Sequence, residues 1–426
     1  MPRSRKLSLF AVTALGINTI VGSGIFRLPS ELARELGPAS SLVFLLCALL
    51  LVGVALSFVE AGAKTERSGG AYVYVREAYG NAPGFLIGWS TWIGAVLTLA
   101  TAAVAIPGQL AEIWPSAQSG SMVRALPVAI IAALGAINIF GVRRAGWLSS
   151  MLVIAKMLPL AVLALAGLFF VDRGRFVPFA PHGSTHLGSS LLVSFFALSG
   201  FETSALPAAE SDNPKRAVPL GMVLSLAAAA LLYTLIQFAL VGLVPNLGQS
   251  ERPIADAARV ILGDGGAAAV AVLGSMSMLG LCAAMALAGP RSLVALAEDD
   301  LVPPSLGGYS PRFATPVPAI VATVVLASVL ALALDFRRLV DFTSVTVLLQ
   351  YAGTCLAAPV LHARFRDLRI LSRLGVWISG VLGFVVSMAI MAQVTWMEGA
   401  LAGAVMMFGV ILCCGHRMRT KSGHSI

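Results

Sequence analysis

Apolar runs of about twenty residues recur along the whole chain, separated by short clusters of charge, glycine, proline and serine. A helix needs roughly 20 apolar residues to cross the hydrocarbon core of a bilayer. Read in that unit, the pattern predicts twelve spans, at about 8–28, 40–63, 84–113, 122–142, 147–171, 188–210, 218–243, 267–297, 316–335, 338–361, 373–394 and 398–415. No connection is longer than roughly 20 residues, so no soluble domain fits between spans. The expected fold class is an all-α membrane protein with 12 transmembrane helices, one integral domain over residues 1–426. The basic start, Pro2 to Lys6, is like the head of a signal peptide. No small-residue cleavage pattern follows the first apolar run, which therefore reads as a retained span.

Two runs weaken their own backbone. Span 1 holds Gly22-Ser23-Gly24 within "GINTIVGSGIF", and span 6 holds Ser199-Gly200 within "LLVSFFALSGFETSALPAAE". Irregular backbone at membrane depth survives where it is buried in protein or lines a cavity. These spans also open two five-span blocks, about 8–171 and 188–361, and Gly22 and Gly200 stand 178 positions apart. Five is odd, so the second block is expected to lie inverted relative to the first, a 5+5 inverted repeat followed by two further helices at about 373–415. Interrupted helices at matching positions of two inverted halves point to a binding site. A break at Gly24 would offer free N–H groups and a positive dipole end to a carboxylate. Carbonyls freed near Thr19, Ile20 and Val21, and near Phe196, Ala197 and Ser199, would suit an ammonium group. Donors for an anion and acceptors for a cation a few ångströms apart describe an α-amino acid.

Composition agrees with this frame. Only 12% of residues are charged, against about a quarter in soluble proteins. The net charge of +9 raises nucleic acid as a partner, but the distribution of the 29 Lys and Arg residues argues otherwise. With a cytoplasmic N-terminus, nineteen fall on the cytoplasmic side, nine on the other, and Lys156 lies within span 5. That bias predicts a multi-pass protein of the cell membrane, inner or plasma, with both termini cytoplasmic and lipid, not nucleic acid, facing the basic loops. The five cysteines lie in or at the ends of apolar runs and read as buried small hydrophobes, neither disulfides nor a metal site.

Four motifs in order, "GSGIF" in span 1, "SGGAYVYVREAYG" after span 2, "GFE" in span 6 and "DNPKRAVP" after it, resemble the amino acid–polyamine–organocation superfamily of permeases. The resemblance covers almost the whole chain and implies the LeuT-type five-plus-five inverted-repeat fold. Carried over by position, it implies substrate contacts at Ile20, Ser23 and Gly24 and at Phe196, Ala197 and Ser199. It places Ser90, Thr91 and Ala95 of span 3, Ala284 of span 8, and Thr343 and Ser344 of span 10 around the substrate side chain. Such a pocket is mildly polar and free of acids, which favours a neutral amino acid over a cation.

Two ionisable groups stand inside the membrane. Lys156 lies about ten residues into span 5, where the resemblance places a lysine in sodium-independent members. Its ammonium would replace a sodium ion beside the freed carbonyls of span 1, and burial would let it release a proton. Glu202 follows directly on the span 6 break and is expected to couple titration to gating, or to bridge spans as a hydrogen-bonded acid. All five histidines lie in loops or near span ends, which disfavours a histidine relay. The expected activity is sodium-independent secondary transport, by proton symport or by exchange, with no cofactor and no metal, in a monomer or homodimer. The alternatives are a carrier of cationic amino acids or polyamines, or an exporter. A membrane-embedded enzyme is disfavoured because the chain has no HExxH, no GxSxG and no intramembrane His/acid cluster.

Overall fold

A computed structural model describes residues 8–64, 69–140, 157–205, 214–365 and 371–422. The helices in chain order are α1 (Leu9–Ile20), α2 (Ser23–Leu36), α3 (Val43–Leu50), α4 (Val52–Lys64), α5 (Ala71–Tyr79), α6 (Asn81–Leu110), α7 (Met122–Ile139), α8 (Met157–Phe170), α9 (Leu187–Leu198), α10 (Pro214–Leu243), α11 (Pro253–Glu298), α12 (Val317–Ala333), α13 (Phe336–Arg364), α14 (Arg373–Met391) and α15 (Trp396–Ser422). No strand occurs among the described residues. Eight helical segments are long and apolar enough to cross a membrane, and three shorter apolar helices accompany them.

Span 1 divides into α1 and α2, and α2 runs on to Leu36, a full two turns past the expected end. The non-helical residues are Val21 and Gly22, so Ser23 and Gly24 already belong to α2. Span 6 stops at Leu198 and resumes as a 3₁₀ turn, Phe201–Ala205. Two elements escaped the hydropathy pattern. The helix α5 is amphipathic and lies between two spans, and α11 begins at Pro253 but bends at Gly263, where φ is +72°.

Small residues let the central helices approach closely. A β-carbon at Gly94 of α6 would come within 3.0 Å of Thr346 Oγ1 on α13, and one at Gly289 of α11 within 3.1 Å of Thr323 on α12. Among the described residues α6 packs extensively against α11 and also against α13, and α1 lies along α10. An aromatic cluster fills the centre. Tyr351 of α13 takes Phe58, Phe195 and Phe201 edge-on or tilted at 5.3, 5.4 and 5.3 Å, contacts that add to the simple burial of these rings.

Four of the five cysteines are buried, as their sequence positions suggest, whereas Cys414 is exposed; none is in a disulfide. His362, at the end of α13, is buried and its Nδ1 lies 2.7 Å from Glu60 Oε1 of α4. Lys64 Nζ lies 3.1 Å from the same oxygen, and the Leu371 N–H donates to Glu60 Oε2 at 3.1 Å. Glu60 therefore ties α4 to α13 and to the approach to α14.

Candidate functional site

The two helix breaks touch. Gly200 has φ of +117°, a conformation that suits glycine alone, and a β-carbon there would stand 3.0 Å from Ile20 N and 3.0 Å from Thr19 C. One turn away Gly24 faces Ala197 in the same manner, with 3.1 Å between its absent β-carbon and Ala197 Cα. Thr203 Oγ1 is 3.0 Å from Thr19 Oγ1 and bonds to Gly200 O at 2.6 Å, and the Thr203 N–H closes the turn on Gly200 O at 3.1 Å. The interruption is thus held by contacts between the two broken helices.

Beside this junction lies a cavity of about 130 Å³. Thr19, Ile20, Ser23, Gly24, Phe196 and Ala197 form one wall, from the breaks. Thr91, Gly94, Ala95 and Thr98 of α6 oppose them, with Leu281, Met285, Ala288 and Ser292 of α11 and Val347 and Gln350 of α13. The cavity reaches Gly69, Gly70 and Ala71 at the start of α5. Along α6 it ends near Thr98, and three turns farther on Gln109 Nε2 donates to Phe26 O at 3.3 Å, with Phe26 packed on Gly274. Farther out, Arg337 of α13 pairs with Glu31 of α2 and with Asp341 at 3.0 Å.

The polar groups on the wall have defined partners, with one exception. Ile20 O, freed by the break, accepts from Tyr233 Oη of α10 at 3.0 Å and from the Gly22 N–H at 2.8 Å. Val21 O accepts from Ser277 Oγ at 3.4 Å. Ser199 Oγ turns back to Phe196 O at 2.8 Å, and Thr91 Oγ1 donates to Gln350 Oε1 at 3.1 Å. Glu202 Oε2 accepts from the Gly200 N–H at 2.9 Å and from Tyr351 Oη at 2.6 Å, so the acid is fastened to the break on one side and to α13 on the other. The exception is Ser23, whose hydroxyl is buried without a hydrogen-bond partner among the described residues. It stands in the first turn of α2, where backbone N–H groups lack intrahelical acceptors. A hydroxyl and unsatisfied N–H groups at a helix N-terminus are donors of the kind that suit an anionic group.

Of the expected contact residues, Ile20, Ser23, Gly24, Thr91, Ala95, Phe196, Ala197 and Ser199 line the cavity, as does Glu202. Four lie elsewhere. Ser90 is rotated away from the wall and donates to Thr346 O at 2.7 Å. Ala284 is off the face that Leu281, Met285 and Ala288 present. Thr343 sits one turn beyond Val347, past the end of the cavity, with its hydroxyl on Leu339 O and 3.5 Å from Thr101. Ser344, beside it, is spent on Val340 O at 2.8 Å. Lys156 lies outside the described residues. Tyr233 and Tyr351, which hold the two breaks, were not anticipated: each reads in sequence as an aromatic in an apolar run.

A family model described as amino acid permease matches residues 7–415. Cationic amino acid transporter 4 of Homo sapiens is 31% identical over 388 residues, 85% of this chain and 60% of its own length. The vacuolar cationic amino acid transporter 4 of Arabidopsis thaliana is 26% identical over 384 residues, 84% of this chain and 63% of its own. A branched-chain amino acid permease of Bacillus subtilis is 26% identical over 391 residues, 85% of this chain and 82% of its own. The chain therefore spans less than two thirds of the cationic transporters' length and most of the bacterial permease. With its apolar helices, this match identifies a multi-pass membrane protein, and the chain belongs to the amino acid permease family.

Proposed function

We propose that the chain is a sodium-independent secondary transporter of neutral amino acids that works by alternating access, as a proton symporter or an exchanger, and not an enzyme. One observation carries the reading. The Ser23 hydroxyl at the start of α2, without a partner among the described residues, shares a small cavity with the interrupted end of α9. There the substrate carboxylate would take the Ser23 hydroxyl and the first-turn N–H groups, and the ammonium a carbonyl at the end of α9 such as Phe196 O, which accepts from Ser199 Oγ and has a second lone pair, since Ile20 O and Gly200 O each already accept from two donors. The side chain would extend toward Ala95, Met285, Ala288 and Gln350. The sole charged side chain on the described wall is Glu202, already engaged by two donors, which leaves little to attract a second cation.

The matched breaks are best accommodated by twelve spans in the 5+5 LeuT-type arrangement, blocks 8–171 and 188–361 and two closing helices, in the cell membrane with cytoplasmic termini. In this reading the cavity faces the cytoplasm through the α5 side, and the Phe26 and Arg337 contacts close the other side. Lys156 supplies the charge that sodium supplies elsewhere. A second reading, transport of cationic amino acids, is favoured by the names of the human and plant relatives. Counterflow of a labelled amino acid in liposomes, challenged with a panel of twenty, decides between them. Competition by alanine, valine or leucine supports the neutral reading. Competition by arginine and lysine alone supports the cationic one, and absence of saturable counterflow contradicts both.

A further inference from the structure

A second cavity, of about 460 Å³, lies where three apolar elements end together. It is walled by Ala33 of α2, by Pro38, and by Val241, Val244 and Leu247 at and beyond the end of α10, with Arg175 and Asn246 as its polar side chains. The loop bearing Arg175 is built in, not draped over the surface. The Asp172 N–H donates to Gly242 O at 3.1 Å, Phe176 packs on Phe238 of α10 at 4.7 Å, and the Ala39 N–H donates to Phe179 O at 2.8 Å.

The charge of Arg175 is poorly compensated. Its Nε lies 3.4 Å from Asp172 Oδ2, a largely exposed carboxylate, and its Nη1 is enclosed with no acceptor among the described residues. An enclosed guanidinium N–H without an acceptor is costly, which favours an anion beside it. Gly248 of the cavity wall packs on the backbone of Arg34, whose exposed guanidinium lies 3.8 Å from Glu31.

The surroundings say where the anion comes from. The candidate span ending at Leu243 and the shorter apolar helix ending at Phe170 finish here, and Phe169, Phe170, Val177 and Phe179 are exposed around the site. Exposed phenylalanines and a valine suit hydrocarbon, and an arginine beside them at the end of apolar helices reaches the headgroup level. We propose that this cavity binds the phosphate of a glycerophospholipid headgroup from the adjoining leaflet, with Arg175 on the phosphate and the first acyl carbons against Val241, Val244 and Leu247.

Native mass spectrometry of the detergent-purified protein tests this with three added lipids and one salt. Dioleoyl phosphatidylglycerol and dioleoyl phosphatidylcholine, which share the phosphate, should both be retained, and dioleoylglycerol should not. Arg175→Gln should reduce retained phosphatidylglycerol about tenfold, the loss expected for one charge-assisted hydrogen-bonded contact. Asn246→Asp, which suits the left-handed conformation of that residue, should reduce it as well by placing a negative charge in the cavity, and it serves if Arg175→Gln does not fold. Arg173→Gln, next along the loop but off the cavity wall, should leave retention within about twofold, which separates a site from general basic attraction. Equal retention of dioleoylglycerol, or unchanged retention in both cavity variants, overturns the proposal. So does a rise in melting temperature of lipid-free protein with inorganic phosphate that lipid does not add to, because free phosphate would then be the ligand.

Discussion

Gly200 stands against Ile20 so closely that a β-carbon on it would lie 3.0 Å from the Ile20 nitrogen. This contact joins the two interrupted helices, and Gly200 has no alternative side chain that relieves it, because its φ of +117° is itself closed to other residues. Gly200→Ala is expected to lose about 1–3 kcal/mol from backbone strain, with the crowding added. Gly80 is the control, at φ of +88° with nothing within 4 Å of a β-carbon. Gly80→Ala should be destabilised by strain alone and still transport. Melting temperature and liposome uptake measured together check this, and a Gly200→Ala protein as active as Gly80→Ala would separate the helix junction from function.

The cavity wall predicts selectivity by size. Ala288 is on it and Ala284 is not. Ala288→Leu should reduce uptake of leucine relative to alanine by about tenfold, the usual range for a few methylenes in a close-fitting pocket. Ala284→Leu should leave that ratio unchanged. Competition curves in liposomes give both ratios, and the reverse order would return Ala284 to the wall.

How far the sequence reaches is clear from these two alanines. The break at Gly22 and its counterpart at Gly200 were legible because small residues in an apolar run have few other uses at membrane depth. Rotation about a helix was not. Neighbouring residues point about 100° apart, so Ser90 and Thr91 diverge, one onto Thr346 O and the other onto the cavity. Thr343 lies off the cavity for another reason, on the same face as Val347 but one turn past the cavity's end. Tyr233 was hidden because its partner, Ile20 O, lies 213 residues away in sequence. The helix α5 is too polar for a hydropathy pattern to register.

Glu202 is held by Gly200 and Tyr351 through one oxygen. Glu202→Gln keeps an acceptor for both donors while removing titration. It should bind substrate and flatten the pH–rate profile of uptake. Tyr351→Phe removes one donor and keeps the ring in its cluster with Phe58, Phe195 and Phe201, so it should fold and alter the same profile. Profiles identical to the parent in both variants would make Glu202 a purely structural bridge.

Sodium is not expected to matter. Uptake into liposomes should be equal in sodium and choline buffers, and Lys156→Ala should abolish it in both. A sodium requirement in the parent protein would remove Lys156 from the role proposed for it.

The central claim is that the amino acid sits between the two breaks and α6. A single cysteine at Ala95, in a background lacking Cys47, Cys282, Cys355, Cys413 and Cys414, reports on that space through its rate of reaction with a small thiol reagent. A saturating amino acid, chosen from the counterflow panel, should slow labelling at Ala95→Cys several-fold and leave Ala284→Cys unaffected. Counterflow that persists while Ala95→Cys labels at the same rate with and without substrate would contradict the account.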